Sequence, residues 1–201
     1  MRVRTEAKRC GILDTAASVF LEQGFERASM SEIAARIGGS KTTLYGYFRS
    51  KEELFVAVAV AEAEKQLVPV LEQLDEKAAE IRDVLLQTGE RLVNFLVTPD
   101  SLAAHRMVLS EAGRSDIGSR FYKNGRQRGV NLLAAFLGRA HKVGKIRACD
   151  CTVAATHLMG LIESEWQQPV WFGFAQAPSR RDIRRSTERA VDVFLAAYGA
   201  A

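Results

Sequence analysis

Cysteine, proline and long apolar runs are all scarce in this sequence, and each scarcity closes off a class. Three cysteines in 201 residues, Cys10, Cys149 and Cys151, are too few and too unevenly spaced for a disulfide framework. Reduced thiols in a cytoplasmic protein are the expectation. Only His157 lies near the Cys149-x-Cys151 pair, which falls short of a metal-ligand set. No stretch of about 18 uncharged apolar residues occurs, so no membrane span is expected. The charged start Met1-Arg2-Val3-Arg4-Thr5-Glu6 has no apolar segment after it, so no secretory leader is expected either. There is no G-x-S-x-G, no H-E-x-x-H and no phosphate-binding loop, and the three histidines are scattered. We therefore expect no catalytic residue, no metal and no cofactor. Strand-like alternation and internal repeats are missing too, which points to an all-α chain.

The charge that is present is placed unevenly. Residues 1–51 carry nine Lys or Arg and five acids, an excess of four that equals the net charge of the whole chain. A basic head for a polyanion, joined to a neutral body with another task, is the natural reading.

Helical periodicity runs almost throughout. Ile12, Leu13, Ala16, Ala17, Val19 and Phe20 share one face of a helix over 4–23, stopped by Gly24. Ser29 and Glu32 form a capping-box pattern that starts a two-turn helix ended by Gly38. Ser40 caps a third short helix beginning at Lys41, with Leu44 and Phe48 turned to the core. Ser50-Lys51-Glu52-Glu53 repeats the capping pattern and opens a fourth helix that extends to about Leu74, with Pro69 as a candidate kink. Further helices are expected over 78–97, 99–112, 116–142, 150–172 and 180–198, about nine in all. Three helices in the first 48 residues, the last two joined by a tight glycine turn, make a helix-turn-helix. The third is short because it inserts: small residues let its backbone approach a groove, and its outward groups reach base edges and phosphates.

Ala16-Ala17, Phe20, Gly24-Phe25, Ser29-Met30, Ile33-Ala34, Gly38, Ser40-Lys41, Thr43-Leu44-Tyr45, Tyr47-Phe48 and Ser50-Lys51-Glu52 with Leu54-Phe55 resemble, in order and spacing, the head of the TetR (tetracycline-repressor-like) regulators. The resemblance implies an all-α homodimer. Residues 1–51 would be the DNA-binding head, and residues 52–201 a helical effector-binding and dimerisation domain. It implies that Lys41, Thr42 and Tyr45 face bases and that Thr43, Tyr47 and Lys51 touch phosphates. Ser29 and Ser31 would stand at or near the backbone, and Gly46 at a variable contact position. Gly39 replaces the branched apolar residue usual in the family, which predicts a looser turn, and Gly46 offers no side chain. Arg2, Arg4, Lys8 and Arg9 form either an arm along DNA or a solvated tail.

In the body, the last two predicted helices read as an interface, with Val153, His157, Leu158 and Leu161 on one and Val191, Phe194 and Tyr198 on the other. The alternative is that they close the monomer's own core. Phe95, His105, Met107, Phe121, Tyr122, Trp166, Trp171 and Phe172 are candidate walls of a pocket for an apolar small molecule. The function expected is a repressor on double-stranded, palindromic DNA, released by an inducer. The alternatives are a small-molecule binding protein with a weakened head, and a ligand-independent activator or architectural DNA binder.

Overall fold

The computed structural model describes residues 5–72, 80–114 and 116–200. All regular elements among them are helical. The first three are α1 (Glu6–Arg27), α2 (Met30–Arg36) and α3 (Lys41–Tyr47). α4 (Lys51–Glu72) leads into α5 (Ile81–Leu96) and α6 (Pro99–Glu111). α7 (Ile117–Phe121) passes through a π-helical turn, Tyr122–Arg126, into α8 (Gln127–Lys142). α9 (Cys151–Glu163), α10 (Gln167–Trp171) and α11 (Arg180–Tyr198) complete the chain. None of the described helices is long and apolar enough to cross a membrane.

Local chemistry sets most of the boundaries. Gly24 takes φ +76°, a conformation costly for any residue with a Cβ, so α1 breaks there and resumes for one short turn. At the end of α2, Gly38 takes φ +67° and donates its N–H to Ala35 O, while Gly39 N–H donates to Ala34 O. Those two bonds make a Schellman cap. Gly39 itself is exposed, and a Cβ there would meet no atom within 4 Å. The loose turn expected at Gly39 is thus not seen: the missing side chain leaves no hole, because the turn is held by backbone bonds.

Two segments read as single helices are divided. Over 116–142 the axis continues but the bonding pattern slips by one residue at the π turn. Over 150–172 the helix stops at Glu163 and restarts at Gln167. Pro169 is the cause: inside a continuous helix it would lack the N–H due to residue 165 and collide with that carbonyl. After the restart it sits in the first turn, where no N–H is required. α4, by contrast, runs past Pro69 without ending, and Leu74 lies outside the described residues.

Two cores result. The first joins Ile12, Ala16, Val19 and Phe20 of α1 to Ile33, Leu44 and Phe48, and takes in Leu54, Phe55 and Val58 of α4 and Ala104 of α6. The second is built by α5, α8, α9 and α11 around Leu85, Phe136, Leu137, Leu158, Ile183 and Phe194. Each large side chain so buried contributes about 1.5–3 kcal/mol. α4 belongs to both regions, because its far half also lines the space between the cores.

Candidate nucleic-acid interface and effector cavity

α3 is anchored from behind and presents its polar groups outward. Leu44 and Phe48 are each 2% exposed, whereas Lys41, Thr42 and Tyr45 face solvent, Tyr45 with half its surface. Ser40 caps the helix by accepting from Thr43 N–H, and its hydroxyl lies 3.0 Å from Thr43 Oγ1. Gly46 is half-buried, and a Cβ there would meet nothing within 4 Å. Ser31 is exposed at the start of α2, beside Ser29, whose hydroxyl accepts from Glu32 N–H. The return half of that capping box is not made. The Glu32 carboxylate instead accepts from Gln23 Nε2 and Arg36, tying α2 to α1.

Three of the expected phosphate contacts do structural work. Thr43 is the capped residue just described. Tyr47 Oη accepts from Thr5 N–H at 3.1 Å, pinning the start of α1 to the end of α3, with the phenolic proton still to donate. Lys51 is tied within the head itself. Its ammonium donates to the carbonyls of Phe25 (2.8 Å), Ala28 (3.1 Å) and Glu26 (3.3 Å), and lies 4.2 Å from the centre of the Phe25 ring. An ammonium has three protons, and all three are directed at the end of α1. Those carbonyls offset the unfavourable placement of a cation at the start of α4. Arg2 and Arg4 lie outside the described residues; Lys8 and Arg9 are on α1.

A cavity of about 420 Å³ lies between α4, α5, α6, α8, α9 and α10. Phe95, His105, Phe121, Tyr122 and Trp171 line it as expected. Met107, Trp166 and Phe172 do not, and the reasons differ. Met107 packs into the first core, Trp166 is buried with its indole N–H on Ile162 O, and Phe172 is 83% exposed after α10. The walls are overwhelmingly apolar, drawn from Leu85, Leu92, Val108, Leu132 and Met159 among others.

Apart from His105, Tyr122 and Trp171, the polar groups of the cavity were invisible to sequence reading. Arg126 Nη1 donates to both carboxylate oxygens of Glu163 at 2.7 and 2.8 Å, with Glu163 5% exposed. Glu163 is the one charged residue in the run from Thr152, and that was the available signal. Ser101 Oγ is buried with no partner among the described residues. His105 Nδ1 lies 2.8 Å from Ser101 O, and its ring meets Phe121 edge-on at 4.9 Å and Trp171 at 5.4 Å. Burial holds the His105 pKa below its ordinary 6.5, with the Arg126 charge acting the same way against the Ser101 carbonyl and Glu163. Arg106 fixes the Trp171 end by donating to Val170 O and Trp171 O.

Ion pairs run from this cavity wall to the head. Asp116, beside α7, accepts from Arg49 in the α3–α4 turn at 3.4 Å and pairs with Arg120 at 2.9 Å, and Arg120 also reaches Glu53 of α4. Ser50 caps α4, and Glu53 Oε2 accepts from Arg49 N–H rather than returning to Ser50.

The expected interface helices divide by face. Leu158, Val191 and Phe194 are at most 1% exposed and belong to the subunit's own core, packed on α5 and α8. They are corrected from interface to interior. Val153 and His157 stay exposed on α9, as does Val193 on α11, while Leu161 and Tyr198 are half-buried. His157 Nδ1 and Tyr198 Oη, 2.6 Å apart, join the two helices at that face. No group of three metal-ligating side chains occurs among the described residues. Burial pushes the Cys149 thiol up, which keeps it protonated.

Residues 12–58 match the model of the tetR family of bacterial regulatory proteins, and residues 83–200 match that of the AefR-like transcriptional repressor C-terminal domain. The chain belongs to the TetR family of transcriptional regulators. A TetR-family regulator from Mesorhizobium loti has the same fold over 99% of this chain and 100% of its own, with 28% identity and a TM-score of 0.77. The flavonoid-responsive regulator FrrA aligns over 97% of this chain and 98% of its own, with 28% identity and a TM-score of 0.67. Among curated relatives, the transcriptional activator FasR of Mycolicibacterium smegmatis is 44% identical over 57 residues, 28% of this chain. That match spans only 26% of FasR's own length. TetR-fold regulators typically bind DNA as dimers and carry a ligand pocket in the body.

Proposed function

We propose that this TetR-family regulator is a homodimeric repressor released from a palindromic operator by a largely apolar small molecule. Residues 1–51 form the reading head and residues 52–201 the effector and dimerisation body. The observation that carries the reading is α3 itself: Leu44 and Phe48 are buried behind it while Lys41, Thr42 and Tyr45 stand free in front. The exposed stripe of Val153, His157 and Val193 supplies a self-complementary face for a two-fold contact. Such a dimer sets the two α3 helices in successive major grooves, about 34 Å apart. Effector binding favours a conformer with different head spacing, and occupancy falls by the ratio of its affinities for the two. The Arg49–Asp116–Arg120–Glu53 cluster supports a link between cavity wall and head.

Selection of bound sequences from random DNA, followed by anisotropy on the selected site, tests this. Tyr45→Ala and Lys41→Ala should each cost about 1–3 kcal/mol of discrimination. Unchanged binding by both variants would remove α3 as the reading face, and failure to select any site would leave a small-molecule binding protein with a weakened head. The FasR relative is an activator, which favours activation as the second reading of the same DNA contact. A promoter fusion distinguishes them: a repressor's deletion raises expression, an activator's lowers it.

A further inference from the structure

We propose that the effector of the body cavity is an uncharged, largely apolar molecule with a hydroxyl at one end, and that His105 and Ser101 receive this hydroxyl. The inference rests on reading the cavity as the effector site. It follows from asking which polar groups on the wall still have bonding capacity.

Thr88 has none to offer as a donor, because its hydroxyl donates to Val84 O. Arg126 Nη1 is committed to both oxygens of Glu163, and the pair together carries no net charge. Tyr122, Asn124 and Arg128 lie at the exposed rim, Glu64 pairs with Arg128, and Gln167 and Trp171 are half-buried. Ser101 and His105 stand together on the wall, one turn apart on the same face of α6. Ser101 Oγ is buried, lines the cavity and lacks a partner among the described residues. His105 faces a carbonyl through Nδ1, and a carbonyl only accepts, so Nδ1 carries the proton. Its other nitrogen, Nε2, then presents a lone pair. The buried ring stays neutral near pH 7.

These two groups select among ligand classes. A carboxylate would bring lone pairs against the lone pair of Nε2 and the charge of Glu163, with Arg126 Nη1 already held on that carboxylate. An ammonium would find both carboxylates on the wall, Glu163 and Glu64, already paired. A hydrocarbon or an ether cannot donate to Nε2. A hydroxyl matches both: its proton goes to Nε2, and its oxygen accepts from Ser101 Oγ–H. The Phe121 and Trp171 rings flanking His105 suit an aromatic ring carrying that hydroxyl.

The test uses three probes of the same length, 4-octylphenol, its methyl ether 4-octylanisole, and 4-octylbenzoate. Each is titrated into the full chain by calorimetry, with tryptophan emission, to which Trp171 on the cavity wall contributes, as a second signal. The phenol should bind wild-type protein at least about five-fold tighter than the ether, and the benzoate should bind weakest. In His105→Phe the phenol and ether should bind alike. Ser101→Ala should weaken the phenol and the ether together, because either oxygen accepts from Ser101 Oγ–H, and should leave the phenol's advantage in place, which also reports that the variant is folded. Equal binding of phenol and ether to the wild type would overturn the hydroxyl inference and leave an apolar effector cavity standing, as would a preference for the benzoate. Failure of all three probes to bind would remove the cavity reading, and this inference with it.

Discussion

The head and the body of this chain solve their polar problems over different distances. Around α3 the helix starts are held locally, Ser40 capping Thr43, Ser29 capping Glu32 and Ser50 capping Glu53, and only Tyr47 and Lys51 reach further, to Thr5 and the end of α1. In the body, Arg126 and Glu163 are 37 residues apart, and Arg106 reaches back from Val170 across 64. Local pairing leaves a surface whose free groups can be named from spacing alone. Long-range pairing leaves a cavity whose free groups are known only after the paired ones are removed.

Substitutions that strike one region and spare the other sharpen this contrast. The largest effect is expected from Glu163→Ala, which strands Arg126 beside an apolar cavity. Arg126 keeps a third of its side-chain surface exposed, so the cost should fall toward the lower end of that for a broken buried pair, about 3 kcal/mol. Hydrogen exchange should rise in α9 and the π turn and stay unchanged in α3; equal loosening of both regions would show that they do not fold separately. Next is Gly89→Ala. The added Cβ would lie 2.5 Å from Thr187 Cγ2, where α5 meets α11. Overpacking there should cost about 1–3 kcal/mol, read as a lower midpoint in urea, and a neutral result would mean that α11 shifts freely.

Lys51→Ala probes the head. Loss of its bonds to three carbonyls should lower stability by about 1–2 kcal/mol and weaken DNA binding through a disturbed α1–α4 junction. The salt dependence of binding should keep its slope. A slope reduced by about one unit would return Lys51 to the phosphates.

The smallest effect concerns pH. His105 titrates below 6.5 in the folded chain because it is buried, with Arg126 and Glu163 the charged groups facing it. Its neutral form contributes fully above 6.5, and the contribution is lost as pH falls through the folded value. Wild-type melting temperature should therefore drop slightly more than that of His105→Phe between pH 7.5 and 5, and parallel curves would place the ring in solvent.

The sequence alone was enough for what depends on neighbours within about one helical turn. The helix starts at Ser29, Ser40 and Ser50, the break at Gly24, the turn at Gly38 and the outward face of Lys41, Thr42 and Tyr45 all follow from side chains acting on adjacent backbone. Pro169 acts by the same local rule, and it divides the 150–172 segment into α9 and α10. The fate of Lys51, Leu158, Val191 and Phe194 depended on which distant helix arrived beside them, and residue type does not encode that. An apolar side chain serves a core, a cavity wall or a subunit face equally well. A lysine serves a carbonyl cluster as readily as a phosphate. Only the packed structure, by placing α1's end against Lys51 and α5 and α8 against α9 and α11, decided between those uses.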